Sequence, residues 1–400
     1  MRIVAAVALA WWWFSPALAG EASPPAAKAP KTRELRRSAL AGSTTAQYEL
    51  GVRLHGLGRG RKNAEAAQWL RKAAASGLAE AQNSLGVMYL DGEGVARDYA
   101  EAHLWLRKAA DQGLPKAAFN LGAMYMEGKG VSKDEAAARE WFAKAAASGD
   151  ADSQFNLGVV HRAGLGVPAD PVGARGWFEK ASAQGLVLAQ TALAEMCLRG
   201  EGGPKEPGRA TALLQSAALK GHGRAQYGLG LVYYFGGGPK SRPGEAVRWL
   251  EKAAAQGVPE AMTALGLAYY EGAAVKRDYS RARRWFQRAS ALGQFQALYN
   301  LATMYRDGEG VKEDLGLARK LYREAALLGD ADSQYQLGLM HFDGKGVPKD
   351  RVEAYVWIAM AAERDHSSAR MLAEDLLAEI GPDGVAAARE RTGLLQKEVK

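Results

Sequence analysis

Residues 81–113 read AQNSLGVMYLDGEGVARDYAEAHLWLRKAADQG. Ala81, Leu85, Met88 and Tyr89 fall at helical spacing, which gives a first helix one apolar face. Gly86 inside that helix weakens it by about 1 kcal/mol. Its recurrence along the chain predicts a neighbouring helix that approaches too closely for a side chain. Gly92-Glu93-Gly94-Val95 ends the helix, because glycine adopts positive φ without strain. Asp98 then precedes a second helix, with Glu101 three residues on, the spacing of a capping box. Ala102, Trp105, Ala109 and Ala110 make the buried face of that second helix, and Gly113 stops it.

The same unit returns every 36 residues. Its leucine-glycine pair recurs at Leu85-Gly86, Leu121-Gly122, Leu157-Gly158, Leu229-Gly230, Leu265-Gly266 and Leu337-Gly338, with Leu193-Ala194 and Leu301-Ala302 in the two gaps. A tryptophan follows 19 residues after the glycine at Trp105, Trp141, Trp177, Trp249, Trp285 and Trp357. These six are the expected structural core. A fixed period of this length specifies a stacked array of one supersecondary unit, in which no helix pair buries its faces alone. Nine units start near Ala46, Ala81, Ala117, Ser153, Ala189, Ala225, Ala261, Ala297 and Ser333. The fold class is therefore all-α, a solenoid of about nine antiparallel helix pairs.

Four segments follow: residues 1–19, 20–44, 45–366 and 367–400. The first joins Arg2, an apolar run from Ile3 to Phe14, Pro16 and Ala17-Leu18-Ala19, which reads as a secretory signal cleaved after Ala19. The second, rich in Ala, Pro, Ser and Lys, reads as a disordered tether with a helix able to start at Arg33. The third is the array. In the fourth, Met371, Leu372, Leu376 and Leu377 form an amphipathic helix, Gly381-Pro382-Asp383-Gly384 turns, and a charged helix closes the chain as a cap.

The formal charge is +8. Arg2 leaves with the signal, and the tether carries five basic against two acidic residues, so the array holds only about +4, scattered over many helices. This is a poor footprint for nucleic acid. With one cysteine, Cys197, no disulfide framework forms within the chain. The expected location is the periplasm, with secretion beyond it as the alternative. Alanine- and arginine-rich usage suggests a bacterium.

The pattern small-x-x-x-L-G-x-x-Y-x-x-G-x-G-V-x-x-D followed by A-x-x-W-x-x-K-A-A-x-x-G resembles the Sel1-like repeat, a relative of tetratricopeptide arrays. Its clearest copies are residues 81–113, 117–149, 225–257 and 261–293. The resemblance covers about four fifths of the chain. It implies a right-handed superhelix that serves as a scaffold for protein complexes. Exported bacterial members resemble envelope regulators, polysaccharide-assembly scaffolds and host-interaction factors. The fifth unit departs from the pattern, with Leu213 in place of tryptophan, Cys197 in place of tyrosine and the loop Gly200-Glu201-Gly202-Gly203-Pro204. The sixth carries Gly236-Gly237-Gly238-Pro239, and the eighth Leu321-Tyr322.

The motifs of serine-lysine hydrolases, zinc peptidases and P-loop nucleotide enzymes are missing. The chain is expected not to be an enzyme and to need no cofactor or metal. His161 and His341 occupy the tyrosine slot, as Cys197 does one repeat beyond His161, and read better as buried polar substitutes than as metal ligands. Asp91-Gly-Glu93-Gly and Asp307-Gly-Glu309-Gly lack the ligand alternation of a calcium loop and read as turns. Lys276-Arg277, Arg281, Arg283-Arg284 and Arg288 read as a solvated outer face, with an acidic partner as the rival.

Numbered from the opening small residue, the third position of the first helix holds Tyr48, Phe119, Phe155, Tyr227, Tyr299 and Tyr335. The tenth holds Leu90, Met126, Arg162, Leu198, Tyr234, Tyr270, Arg306 and Phe342. Positions three, seven and ten share a helical face. In tetratricopeptide-like arrays the corresponding stripe lines a concave groove. Tyrosine and arginine dominate interaction hot spots, so Tyr227, Tyr234, Tyr270, Tyr299, Arg306, Phe342, Arg162 and Phe155 are the expected partner-binding residues. The third-position aromatics have a second reading, packing between adjacent first helices. The expected partner is a protein or peptide, with an envelope glycan as the variant. The rival functions are a cell-wall or β-lactam hydrolase and a polysaccharide assembly factor.

Overall fold

A computed structural model describes residues 32–56, 61–165, 168–235 and 242–398. The expected signal, residues 1–19, lies outside them, as do residues 20–31 and the glycine loop of the sixth unit. Among the described residues all regular structure is helical, in twenty helices. None of them is long and apolar enough to cross a membrane.

The chain forms two compact units, Met1–Glu206 and Pro207–Lys400. The first contains α1 (Thr32–Leu40), α2 (Thr44–Gly56), α3 (Arg61–Ala75), α4 (Ala79–Asp91), α5 (Tyr99–Asp111), α6 (Pro115–Glu127), α7 (Glu135–Ala147), α8 (Ala151–Ala163), α9 (Pro171–Ala183) and α10 (Val187–Arg199). The second contains α11 (Pro207–Leu219), α12 (Gly223–Phe235), α13 (Pro243–Ala255), α14 (Pro259–Glu271), α15 (Tyr279–Ser290), α16 (Phe295–Asp307), α17 (Leu315–Leu327), α18 (Ala331–Asp343), α19 (Arg351–Ala362) and α20 (Ser367–Glu398). Within each unit every helix packs on the ones before and after it, the arrangement that stacked helix pairs require.

Within stretch 20–44 the helix expected from Arg33 is present. Residues 32–40 are helical, and Leu35 and Ala39, one helical turn apart, are buried against the first repeat. This short helix covers a face that the array would otherwise leave open, and Gln47 donates to the Ala39 carbonyl at 3.2 Å. At the other end α20 breaks at Gly381 (φ 65°), where the turn was expected. Its Ala369 and Leu376 cover Ile358 and Ala361 of the last repeat.

The close approach at the repeated glycine is present in every unit that has one. A Cβ on Gly86 would sit 2.7 Å from Leu106 Cγ and 3.2 Å from the Ala102 carbonyl oxygen. On Gly122 it would meet the Phe142 ring at 2.7 Å. The residue that fills this space is not the tryptophan but the one after it. Leu70, Leu106, Phe142, Phe178, Leu250, Phe286, Tyr322 and Ile358 are all at most 1% exposed. Trp141 and Trp357 are buried, whereas Trp105, Trp177, Trp249 and Trp285 are only half-buried. The expected core assignment is corrected accordingly, to Ala102, Leu106 and Ala109 in the second unit.

The reason is polar. An indole N–H needs an acceptor and the ring can carry a cation on its face. Trp105 Nε1 donates to Glu101 at 3.0 Å, and Lys108 Nζ lies 4.3 Å from its ring centre. The same pairing of tryptophan with a lysine three residues on recurs at Trp69, Trp141, Trp177 and Trp249. At Trp105, Trp177, Trp249 and Trp285 tryptophan thus sits at the rim of its interface, and the apolar side chain after it takes the centre. Glu101, engaged by Trp105, does not complete the expected capping box. Asp98 alone caps α5, accepting from the N–H groups of Ala100 and Glu101. The Asp98 N–H itself donates to the carbonyl of the slot residue Tyr89 at 3.0 Å, a bond repeated from Asp134 to Tyr125, from Asp278 to Tyr269 and from Asp350 to His341.

Candidate functional site

The stripe of positions three, seven and ten is intact in both units, but its two rows behave differently. The third-position aromatics turn toward the second helices. Phe119 packs on Phe142 with ring centres 5.6 Å apart, Phe155 on Phe178 at 5.5 Å, and Tyr299 on Tyr322 at 5.6 Å. Phe155 is 4% exposed, which overturns its expected role in partner binding. Its ring packs against Phe178, the ring that fills the space left by the glycine at position 158. Tyr227 and Tyr299 remain half-buried beside the core of the second unit. Burial raises the Tyr299 phenol above its ordinary value, with Asp332 adding to the effect.

The tenth-position side chains are half-buried, apart from the buried Met126. Their polar ends are tied forward to the next repeat. In the first unit His55 pairs with Glu93 at 2.7 Å, and Arg162 with Glu201 at 2.9 Å and Glu195 at 3.7 Å. In the second, the Tyr234 hydroxyl donates to Glu271 at 2.9 Å, and the Tyr270 hydroxyl donates to Glu309. Arg306 forms a bidentate pair with Asp307 at 2.7 Å and donates to Gln336 at 2.8 Å. Phe342 lies under the guanidinium of Arg351, 3.9 Å from its ring centre.

Burial first, and then the carboxylate of Glu271, push the Tyr234 phenol up to about 12. Tyr270 moves the same way beside Glu309. Both phenols are therefore neutral donors at ordinary pH. The hydrogen bonds that Arg306 donates to the Asp307 carboxylate hold its guanidinium charged. The row is a preorganised strip of phenol and guanidinium groups whose orientation is fixed from one side.

Sequence reasoning missed a second polar ladder. Glutamine stands at position two of six repeats: Gln47, Gln82, Gln154, Gln190, Gln226 and Gln334. Gln82 donates to the Ala74 carbonyl at 3.2 Å and accepts from Gln112 at 2.7 Å, joining α3, α4 and α5. Gln226 does the same with Ala218 and Gln256. A polar residue recurring beside the opening alanine was the available signal. These bridges satisfy helix-end carbonyls that stacking removes from water.

At the fifth-unit slot, Cys197 is buried beside Arg175, whose guanidinium is 3.6 Å from its Sγ. Arg175, only 7% exposed, pairs with Glu206 and donates to the Pro204 carbonyl at 3.2 Å. Replacing tyrosine by the smaller cysteine makes room for this guanidinium, which pins the glycine-rich loop. His161 faces Asp170 at 3.5 Å. Among the described residues, no group of three or more His, Cys, Asp or Glu is placed to hold a metal.

The family model described as Sel1 repeat matches nine consecutive segments: 44–78, 79–114, 115–150, 151–186, 187–222, 223–258, 259–294, 295–330 and 331–366. Among solved structures, the chain is similar to a protective antigen of uropathogenic Escherichia coli strains displaying an SLR fold. That match has 27% identity, covers 93% of this chain and 95% of the other, and has a TM-score of 0.53. It is also similar to a Sel1 repeat protein from Oxalobacter formigenes, with 30% identity over 61% of this chain and 96% of that one, at a TM-score of 0.55. No curated protein matches the chain.

Proposed function

The chain belongs to the Sel1 repeat family, whose repeats generally act as protein-interaction scaffolds, and from that membership we propose that it is an exported, non-catalytic scaffold that grips a protein or peptide segment along its first helices. The observation that carries this reading is the row Tyr234, Tyr270, Arg306 and Phe342 on successive first helices of the second unit. Each side chain is half-buried, and the three polar ones are oriented by hydrogen bonds to acidic or amide groups. Fixed tyrosines and arginines bind at low entropic cost, which is why they dominate hot spots. Arg162 offers the same chemistry in the first unit.

Export rests on residues 1–19, whose charge, apolar core and small-residue end make a secretory leader. The similar E. coli protein is a protective antigen, a property that suits a chain delivered beyond the cytoplasm. Envelope regulation or assembly is the process this combination fits best.

The test is crosslinking in intact cells, followed by capture of the same partner by the purified protein. Replacing Tyr270 and Arg306 together by alanine should abolish capture and leave the helical signal and the melting temperature within a few degrees of the parent. Undiminished capture by the double variant would remove this row from the site. Turnover of labelled cell-wall fragments would contradict the non-catalytic assignment.

A further inference from the structure

The opposite face of the second unit, built from second helices, carries a different site. A cleft of about 320 Å³ is lined by Glu251 of α13, Tyr269 of α14, and Arg281, Arg284, Trp285 and Arg288 of α15. We propose that it binds an acidic peptide segment, as a docking surface separate from the row of first-helix residues.

Charge is the first support. Helix α15 holds Arg281, Arg283, Arg284 and Arg288 and no acidic residue between Tyr279 and Ser290. In α5 the corresponding charges cancel, Glu101 and Asp111 against Arg107 and Lys108. Helix α7 balances in the same way, with Glu135 and Glu140 against Arg139 and Lys144. The single carboxylate in the cleft, Glu251, faces three guanidinium groups.

The second support is that these groups are held in place while only Arg281 of the three is paired with a carboxylate. Arg281 donates to the Tyr269 hydroxyl at 3.3 Å and reaches Asp278 at 3.3 Å. Arg288 stacks on Trp285, 4.5 Å from the ring centre. At five other tryptophans of this register the cation three residues on and over the ring is a lysine, joined at Trp141 by Arg107 of the preceding repeat. Arginine here leaves the edge of a planar fork free for a carboxylate, which a lysine point charge does not provide. Among the described residues, Arg284 has no hydrogen bond or ion pair.

Spacing selects the ligand. Positions 281, 284 and 288 lie along one helical face over about 10 Å. That spread suits several carboxylates strung along a chain rather than one small anion. The half-buried Trp285 supplies apolar area between the charges, so aromatic or aliphatic residues should alternate with the acidic ones.

The probe is a fluorescein-labelled peptide alternating glutamate and phenylalanine, with a glutamine-for-glutamate version as control. Binding to the full chain is measured by fluorescence anisotropy. The glutamate peptide should bind, weaken as salt rises, and lose about tenfold or more in affinity to the R284E/R288E variant, with an unchanged melting curve. The Y270A/R306A variant should bind it as the parent does. Equal affinity for the glutamine peptide, or full affinity in R284E/R288E, would overturn the proposal. So would loss of binding in Y270A/R306A, which would move the peptide to the other face. Tighter binding of vesicles rich in anionic lipid than of the peptide would also reject it, in favour of a membrane surface.

Discussion

A methyl group on Gly122 would collide with the ring of Phe142, 2.7 Å away, and that ring is itself pinned by Phe119. Gly122→Ala therefore sets two effects against each other. Helix propensity gains about 1 kcal/mol, and overpacking costs about 1–3 kcal/mol. Because the ring is fully buried, the second effect wins, and urea denaturation should show a net loss of stability. A gain would contradict the close approach. The same logic ranks the adjacent large side chains of the second helices. Leu250→Ala should cost about 2–5 kcal/mol and should exceed Trp249→Ala, since Trp249 is half-buried at the rim. Tyr322 sets a pH dependence. Burial, only partly offset by Thr303 and Arg306, pushes its phenol up to about 12, against about 10 in an unfolded chain. The native state holds that proton more tightly, so its contribution is complete below pH 10 and is lost as pH rises from about 10 to 12. Stability should fall on the order of 2 kcal/mol over that window from this group, and Tyr322→Phe should flatten the curve.

At the scale of elements, the loop before α11 depends on one guanidinium. Arg175 joins Glu179, Pro204 and Glu206, and covers Cys197. Removing one member of a buried pair costs about 3–5 kcal/mol. Glu206 keeps some contact with water, so Arg175→Ala should cost nearer 2 kcal/mol. The Cys197 thiol is fully buried; it should resist a disulfide reagent in the parent and react with it in the variant. An unchanged thiol rate would show that the loop is held by other contacts. The tenth-position ladder has the same character on the first helices: His55, Arg162, Tyr234 and Tyr270 each tie one repeat to a carboxylate of the next. Such ties fix the angle between neighbouring pairs while leaving part of each side chain in water.

At the scale of the molecule, stability is a sum of repeat and interface contributions, so the ends need covers. Leu35 and Ala39 of α1 do this for the first repeat, and Ala369 and Leu376 of α20 for the last. Truncation after His366 would uncover Ala354, Ile358 and Ala361. The truncated chain should melt several degrees lower and bind an apolar dye in proportion. An unaltered melt would mean that α20 is not a cap.

The 36-residue period by itself determined the all-helical content, the pairing order, the place of each turn and the reason for the recurring glycine, because these depend on spacing along one helix and on backbone freedom. It also marked Tyr234, Tyr270, Arg306 and Phe342 as one row. Only the tertiary structure decided depth and direction. It put Phe142 rather than Trp141 at the centre of its interface, sent Phe155 inward, and tied Tyr270 to Glu309 in the following repeat. Those outcomes depend on which atoms lie opposite, a whole repeat away. Adjacent large apolar side chains such as Trp105 and Leu106 look alike to a periodicity, but one has an N–H that must find an acceptor at the edge and the other has none.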